Sequence, residues 1–333
     1  MNVVFKIKHY LLLYFKISRS YRFNEDANIN FSNNYWVTGY KNNIISKKWE
    51  IENGIPLGLY NGKLKAPLER RVHISGLCEY CFALNELKQK EGQEKVVKFL
   101  CDNLVKDTLN EEGEDFFLFW KTYFNNESEE YYVHGMGQGQ ILSLLTRYAQ
   151  VNTNSQLQEQ ILEVSNSYLV SFSHPHGFVN TQEEGSVFFE EYPKSQNDRK
   201  HVLNGWIYSI IGLNDYLNYV HNNKFTDKNY DKKRVLYINS IKTLSKNLKY
   251  YNIGFWSLYN QPKGLKHITS IHYQEQHIVL LKALAHITND KLYLKYSTLF
   301  KKQYDNIFYR IFALFVKVFI SNLIKHGWIY KRN

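Results

Sequence analysis

From position 74 onward, apolar residues recur at helical spacing in one segment after another. No other feature of the chain restricts its fold as much. The spacing predicts helices over 73–91, 94–108, 135–150, 156–171, 200–220, 232–250, 268–287 and 290–325, the last one broken. The 200–220 segment has the clearest pattern: Val202, Leu203, Trp206, Ile207, Ile210 and Ile211 form a wide apolar face. The connections are polar and rich in aromatics, as in 115–124 and 254–265. Many helices of ordinary length with such connections predict a mainly α protein. The expected form is an α/α toroid, or incomplete α/α barrel, in which helix pairs surround a cleft. No internal repeat of solenoid length is evident.

The chain divides into four stretches. Residues 1–22 form a basic amphipathic segment, and 23–70 a short β or irregular extension. Residues 71–304 are the helical body that would carry the chemistry, and 305–333 a basic amphipathic C-terminal helix. In the extension, Glu52-Asn-Gly-Ile-Pro-Leu57 and Tyr60-Asn-Gly62 read as turns. The apolar run from Tyr10 to Phe15 is too short for a secretory leader, and no small-residue cleavage site follows. A cytoplasmic protein is expected. Near the end, 307–324 is mostly apolar, but Arg310 and Lys317 lie seven apart on one face. Two such charges are costly in a spanning helix. The helix should lie in the membrane interface with its cations toward the headgroups, or else pack on the protein's own body.

Net charge is +11, which would suit a nucleic-acid binder. Its distribution argues against that partner. Lys6, Lys8, Lys16, Arg19 and Arg22 give +5 at the start, and residues 301–333 give +6 at the end, so 23–300 is formally neutral. The three cysteines, Cys78, Cys81 and Cys101, have no framework spacing. Cys78 and Cys81 match C-x-x-C inside a helical pattern with no second pair, so buried thiols are expected rather than a zinc site.

Chemistry is expected around the entry to the 200–220 helix. Val187, Phe188 and Phe189 are strand formers, Glu190, Glu191 and Tyr192 follow, and Pro193 stops the extended run. Ser195 and Asp198 form an imperfect capping box. A solvated acidic turn before a core helix is the plain alternative. Three other patches stand out. His134-Gly-Met-Gly-Gln-Gly-Gln140 lets backbone approach a neighbour or ligand closely, but no G-K-S/T follows, so it is no phosphate loop. Gln138 and Gln140 could hydrogen-bond sugar hydroxyls, or the segment could be a tight helix entry. The others are the Trp256-Ser-Leu-Tyr259 loop and His272-Tyr273-Gln-Glu-Gln-His277-Ile278, where Tyr273 and His277 share a helix face. His272, Glu275 and His277 do not share one, so no metal is expected from them.

Together these patches resemble the C-terminal catalytic domain of the D-glucuronyl C5-epimerase family. That family carries Gly-Met-Ala-Gln-Gly-Gln, then Glu-Glu-Tyr-Pro and Val-Leu-Asn-Gly, a Ser-x-Tyr loop and a Tyr-His-x-x-His-Ile helix. The chain has Gly135-Met-Gly-Gln-Gly-Gln140, Glu190-Glu-Tyr-Pro193, Val202-Leu-Asn-Gly205, Ser257-Leu-Tyr259, and Tyr273 with His277-Ile278, in the same order over about 50–290. The resemblance implies Glu191, Tyr192 and Tyr273 as catalytic residues flanking the reacting carbon. It implies Tyr259 at the uronate carboxylate, with Asn204, Gln138, Gln140, His277, Glu190 and Arg147 shaping the sugar site. No cofactor and no metal are implied.

The activity implied is conversion of D-glucuronate to L-iduronate in a heparosan-like or other glucuronan. The partner implied is an acidic polysaccharide; the basic termini, read by themselves, add peripheral contact with the inner face of the cell membrane as an expectation, and a homodimer is left open. The chain departs from the pattern at His134, where the family has Trp, and at Gln274, where it has His. In Tyr259-Asn-Gln-Pro262 the carboxylate-clamping Arg is absent, with Lys263 and Lys266 nearby. Two alternatives follow: a uronate lyase of the α/α-toroid type, and a non-catalytic polysaccharide-binding relative.

Overall fold

The computed structural model describes residues 21–28, 33–38, 41, 44, 50–58, 66–109, 115–123, 130–152, 154–192, 200–261 and 267–325. Residues 1–20 of the basic start, the turn at Tyr60–Gly62, the Ser195–Asp198 cap, Lys263 and Lys266 lie outside these residues. The described strands form five two-stranded antiparallel hairpins. They are β1 (Tyr21–Phe23) with β2 (Trp36–Thr38), β3 (Ile51–Glu52) with β4 (Ile55–Pro56), β5 (Val105–Thr108) with β6 (Phe116–Phe119), β7 (Thr122–Tyr123) with β8 (Tyr131–Tyr132), and β9 (Val179–Thr181) with β10 (Val187–Phe189). The expected turn at Asn53-Gly54 joins β3 to β4 with both residues at positive φ, which suits Asn-Gly.

The helices are α1 (Leu68–Arg71), α2 (Ile74–Glu86), α3 (Lys90–Asp102), α4 (Gly135–Ala149), α5 (Ser155–Asn166), α6 (Leu203–Asn223), α7 (Tyr230–Asn247), α8 (Ile271–Thr288), α9 (Lys291–Asp305) and α10 (Ile307–Lys325). The fold is mainly α, as the periodicity predicts. The predicted break in 290–325 falls at Asn306, whose side chain accepts from Phe308 N and Tyr309 N. The segment expected as helix over 94–108 starts earlier and ends at Asp102, because Val105–Thr108 pairs with β6 instead.

The helices pack in two rows. α2, α4, α6 and α8 touch in succession, and α3, α5, α7 and α9 each lie against the helix before them. Composition sorts the rows. Nearly every side chain of α6 is buried, whereas α7 buries only Lys233, Ser240, Thr243 and Leu244. A helix apolar all round belongs inside, and one with a single stripe belongs outside. The β1–β2 hairpin spans from α8 to α2. There Trp36 Nε1 donates to Glu79 at 2.9 Å, and Tyr35 OH donates to Asp215 at 3.1 Å.

The closest joint is between α4 and α6. A Cβ on Gly212 would lie 2.1 Å from Gly139 O, and one on Gly139 would lie 2.4 Å from Tyr208 O. The backbones therefore touch, which any side chain would prevent. Gly135 lies near Ser209, and Arg147 bonds Asp215, so contacts advance together along both helices. The two helices run parallel, and their N-termini lie at one end.

Candidate active site

That shared end gathers the chemistry. β10 delivers Glu190 and Glu191 between the first turns of α4 and α6. Gly135 N donates to Glu190 O at 2.8 Å, and Glu191 Oε2 lies where a Cβ on Gly205 would come within 2.5 Å. Gly205 therefore makes room for a carboxyl group on the first turn of α6. In extended chain adjacent side chains diverge, and these two do. Glu190 turns inward: Asn180 Nδ2 donates to it at 2.9 Å, His201 N at 3.2 Å, and His201 Nδ1 lies 2.8 Å away. Glu191 turns the other way and accepts from Tyr259 OH at 2.9 Å.

Four phenols surround Glu191. Tyr259 OH is 3.5 Å from Tyr192 OH, and its ring centroid is 5.0 Å from that of Tyr273. Tyr132 lies 5.9 Å from Tyr192, centroid to centroid. Each comes from a different piece of backbone. Tyr273 stands in the first turn of α8, capped by the Ser270 hydroxyl. Tyr259 is held on both sides of its backbone, since its N donates to His267 O at 2.8 Å and its carbonyl accepts from Leu203 N, at the start of α6, at 3.1 Å.

Burial governs the protonation of the cluster. Glu191 is 5% exposed, and desolvation raises its carboxyl to about 7, against the lowering effect of the Tyr259 and Tyr192 hydroxyls. Tyr259 and Tyr192 are pushed up by burial and then by the Glu191 charge, and Tyr273 is raised by the same two causes in the same order. Tyr132 is pushed up to about 12. Near neutrality the site thus holds neutral phenol donors around one carboxyl that gains and loses its proton. Among the described residues, Glu191 Oε2 and Asn204 Oδ1 are buried without a hydrogen-bond partner, and Asn204 Nδ2 donates to Met136 Sδ at 3.6 Å.

Several residues expected at the sugar face elsewhere. Arg147 is at the other end of α4, where its guanidinium pairs with Asp215 at 2.8 and 3.0 Å and donates to Asn33 O. It locks α4 to α6 and the N-terminal hairpin. Gln138 has its amide committed to Leu118 O, Ser167 Oγ and Trp120 N, so it braces β6. His277 is fully buried beside Ser257 Oγ at 2.9 Å and held neutral, its imidazole lowered to about 3 by desolvation. Glu190 is a brace by the contacts above. Gln140 is buried one turn beyond Met136, with Oε1 unpartnered. Sequence reasoning missed Tyr132, whose signal was an aromatic pair, Tyr131-Tyr132, leading straight into the glycine segment.

Asp107, His174 and His176 bring three candidate metal ligands within 4.8 Å of one another. Hydrogen bonds already tie the three side chains into the surrounding structure. His174 Nδ1 accepts from His176 N, His176 Nδ1 meets Asp107 Oδ2 at 2.7 Å, and His176 Nε2 meets Tyr131 OH at 2.9 Å. Cys78 and Cys81 are free, buried thiols inside α2.

A family model described as D-glucuronyl C5-epimerase C-terminus matches residues 114–302. The D-glucuronyl C5-epimerase of Caenorhabditis elegans is 27% identical over 173 residues, covering 48% of this chain and 27% of that protein. The match thus spans about a quarter of the curated relative's length. Glu191, Tyr192, Tyr259 and Tyr273 all fall inside the matched stretch.

Proposed function

The chain belongs to the D-glucuronyl C5-epimerase family, and on that premise we propose that it is an isomerase inverting C5 of glucuronate residues within a polysaccharide. The observation that carries this reading is the Tyr192–Tyr259–Tyr273 cluster around Glu191.

The chemistry asks for such a cluster. The C5 proton is alpha to a carboxylate and is a very weak acid, because the carboxylate already bears negative charge. The site must neutralise that group, remove a proton from one face and return one from the other. Neutral phenols donate hydrogen bonds to the carboxylate as it becomes an enediolate. They are fixed in place before reaction and need no reorganisation. A base near neutrality is also required, and Glu191 at about 7 is tuned for it. Because Tyr259 OH donates to Glu191, a proton taken by the Tyr259 oxygen has a path to the carboxylate. Tyr273, whose ring packs 5.0 Å from that of Tyr259, would serve the opposite face of the sugar. The first turns of α4, α6 and α8 add positive dipole ends that favour an anionic substrate.

The substrate favoured is a glucuronan of heparosan type or its lipid-linked precursor. The test is incubation with glucuronate polymers in deuterated water, with C5 deuterium read by NMR. Wild type should incorporate label, and Tyr273→Phe and Glu191→Gln should each slow it by about 10²–10⁴-fold. Absence of label with every glucuronate polymer would sink the proposal. An ultraviolet-absorbing unsaturated product would instead assign the protein to the lyases, which share the first proton abstraction.

A further inference from the structure

The helix α10 has its polarity reversed relative to what its sequence suggests. Its two described cations turn toward the protein. Arg310 is 4% exposed with its guanidinium 5.8 Å from the Tyr304 ring, and Lys317 Nζ donates to Ile268 O at 3.1 Å. Burial lowers the Lys317 ammonium to about 8. The placement with cations toward headgroups is therefore corrected: both side chains turn inward, Lys317 onto a backbone carbonyl and Arg310 toward the Tyr304 ring, with its Nε and Nη1 lacking a hydrogen-bond partner among the described residues. The aromatics face out instead. Phe308 is 77% exposed, Phe315 68%, Phe312 52% and Tyr309 40%. Phe308, Phe312 and Phe315 are spaced by four and three, so they form one stripe. These are the most exposed large apolar side chains gathered on any described helix.

We infer that this stripe docks on an anionic lipid bilayer. Single exposed apolar residues are ordinary, but a continuous aromatic stripe marks a contact surface. Charge selects the occupant. Arg310 and Lys317 are spent on the protein's own body, but Lys325, Lys331 and Arg332 follow in the sequence, and residues 306–333 contain no Asp or Glu. A second copy of the chain would bring like charges together, whereas an anionic leaflet complements them. Phenylalanine and tyrosine are also suited to the headgroup boundary. No described helix is long and apolar enough to cross a membrane, so the contact is peripheral. The helix begins beyond residue 302, where the family match ends, so this surface lies outside the matched stretch. Its Lys317 bond to Ile268 puts it beside His267, the backbone partner of Tyr259.

The experiment is sedimentation of the full chain with vesicles, in equal parts phosphatidylglycerol and phosphatidylcholine or in phosphatidylcholine alone. Wild type should pellet with the anionic vesicles, and less so at high salt. Phe308→Ser with Phe315→Ser should lower partitioning by roughly tenfold for each ring removed. Among the described residues these two make no ring contact with the body, so circular dichroism and deuterium exchange on soluble polymer should stay as in wild type. Phe308→Trp with Phe315→Trp should retain binding and show blue-shifted fluorescence on vesicles. Wild type staying in the supernatant with both vesicles would overturn the inference, as would equal sedimentation of the serine variant. A lipid-free dimer that the serine variant breaks, without vesicle binding, would assign the face to a second copy and also overturn it. Any of these failures leaves the epimerase proposal standing, since that is read on soluble polymer.

Discussion

Replacing Glu191 by glutamine should make the folded protein more stable at pH 8 while slowing its proton exchange about 10²–10⁴-fold. The reasoning starts from the buried carboxyl, raised from 4.5 to about 7 chiefly by desolvation. That displacement corresponds to about 3 kcal/mol. Below about pH 4.5 folded and unfolded chains both hold the proton, and the site costs nothing extra. Between about 4.5 and 7 only the folded chain holds it, so stability falls as pH rises. Above that window the full penalty stands. Glutamine never ionises, keeps an oxygen for Tyr259 OH, and fits the space beside Gly205. Urea unfolding of both proteins from about pH 4.5 to 8 isolates the effect, because every other titrating group is shared. The stability difference, variant minus wild type, should grow with pH by about 3 kcal/mol. A flat difference across that range would show that Glu191 ionises as an ordinary carboxylate, and the poised-base argument would fall with it.

Other expectations follow from the packing. Gly212→Ala places a methyl 2.1 Å from the Gly139 carbonyl. The obstacle is backbone, so α4 and α6 must part, at a cost of about 3 kcal/mol or more. An unchanged thermal midpoint would contradict the parallel contact. Arg147→Met strands Asp215, which is fully buried, and should cost about 3–5 kcal/mol of stability while leaving the KM of the folded protein unaltered. A raised KM without loss of stability would return Arg147 to the sugar site.

Much of the candidate site could be read from residue order, and the reasons are local. The alternation at Glu190 and Glu191 follows from extended chain, and the partition observed, one carboxyl inward and one toward Tyr259, is what that geometry requires. The helices were legible because burial imposes a period. What could not be read was the direction in which a polar side chain finds its partner. Gln138, Arg147 and His277 are hydrogen-bonding types in the right motifs, yet each is satisfied by an element distant in sequence: Leu118 for Gln138, Asp215 for Arg147, Ser257 for His277. α10 shows the same limit, since helical period groups Arg310 with Lys317 but does not say which way that group faces.

By itself, then, the order of residues set the mainly α architecture, the family and the shortlist of chemical groups, because period, turn residues and motif spacing are properties of neighbours along the chain. Folding alone decided which glutamate carries an available oxygen, which phenols reach it and which cations are buried. Those outcomes depend on desolvation and on partners contributed by remote segments, and neither is encoded in any short stretch of sequence.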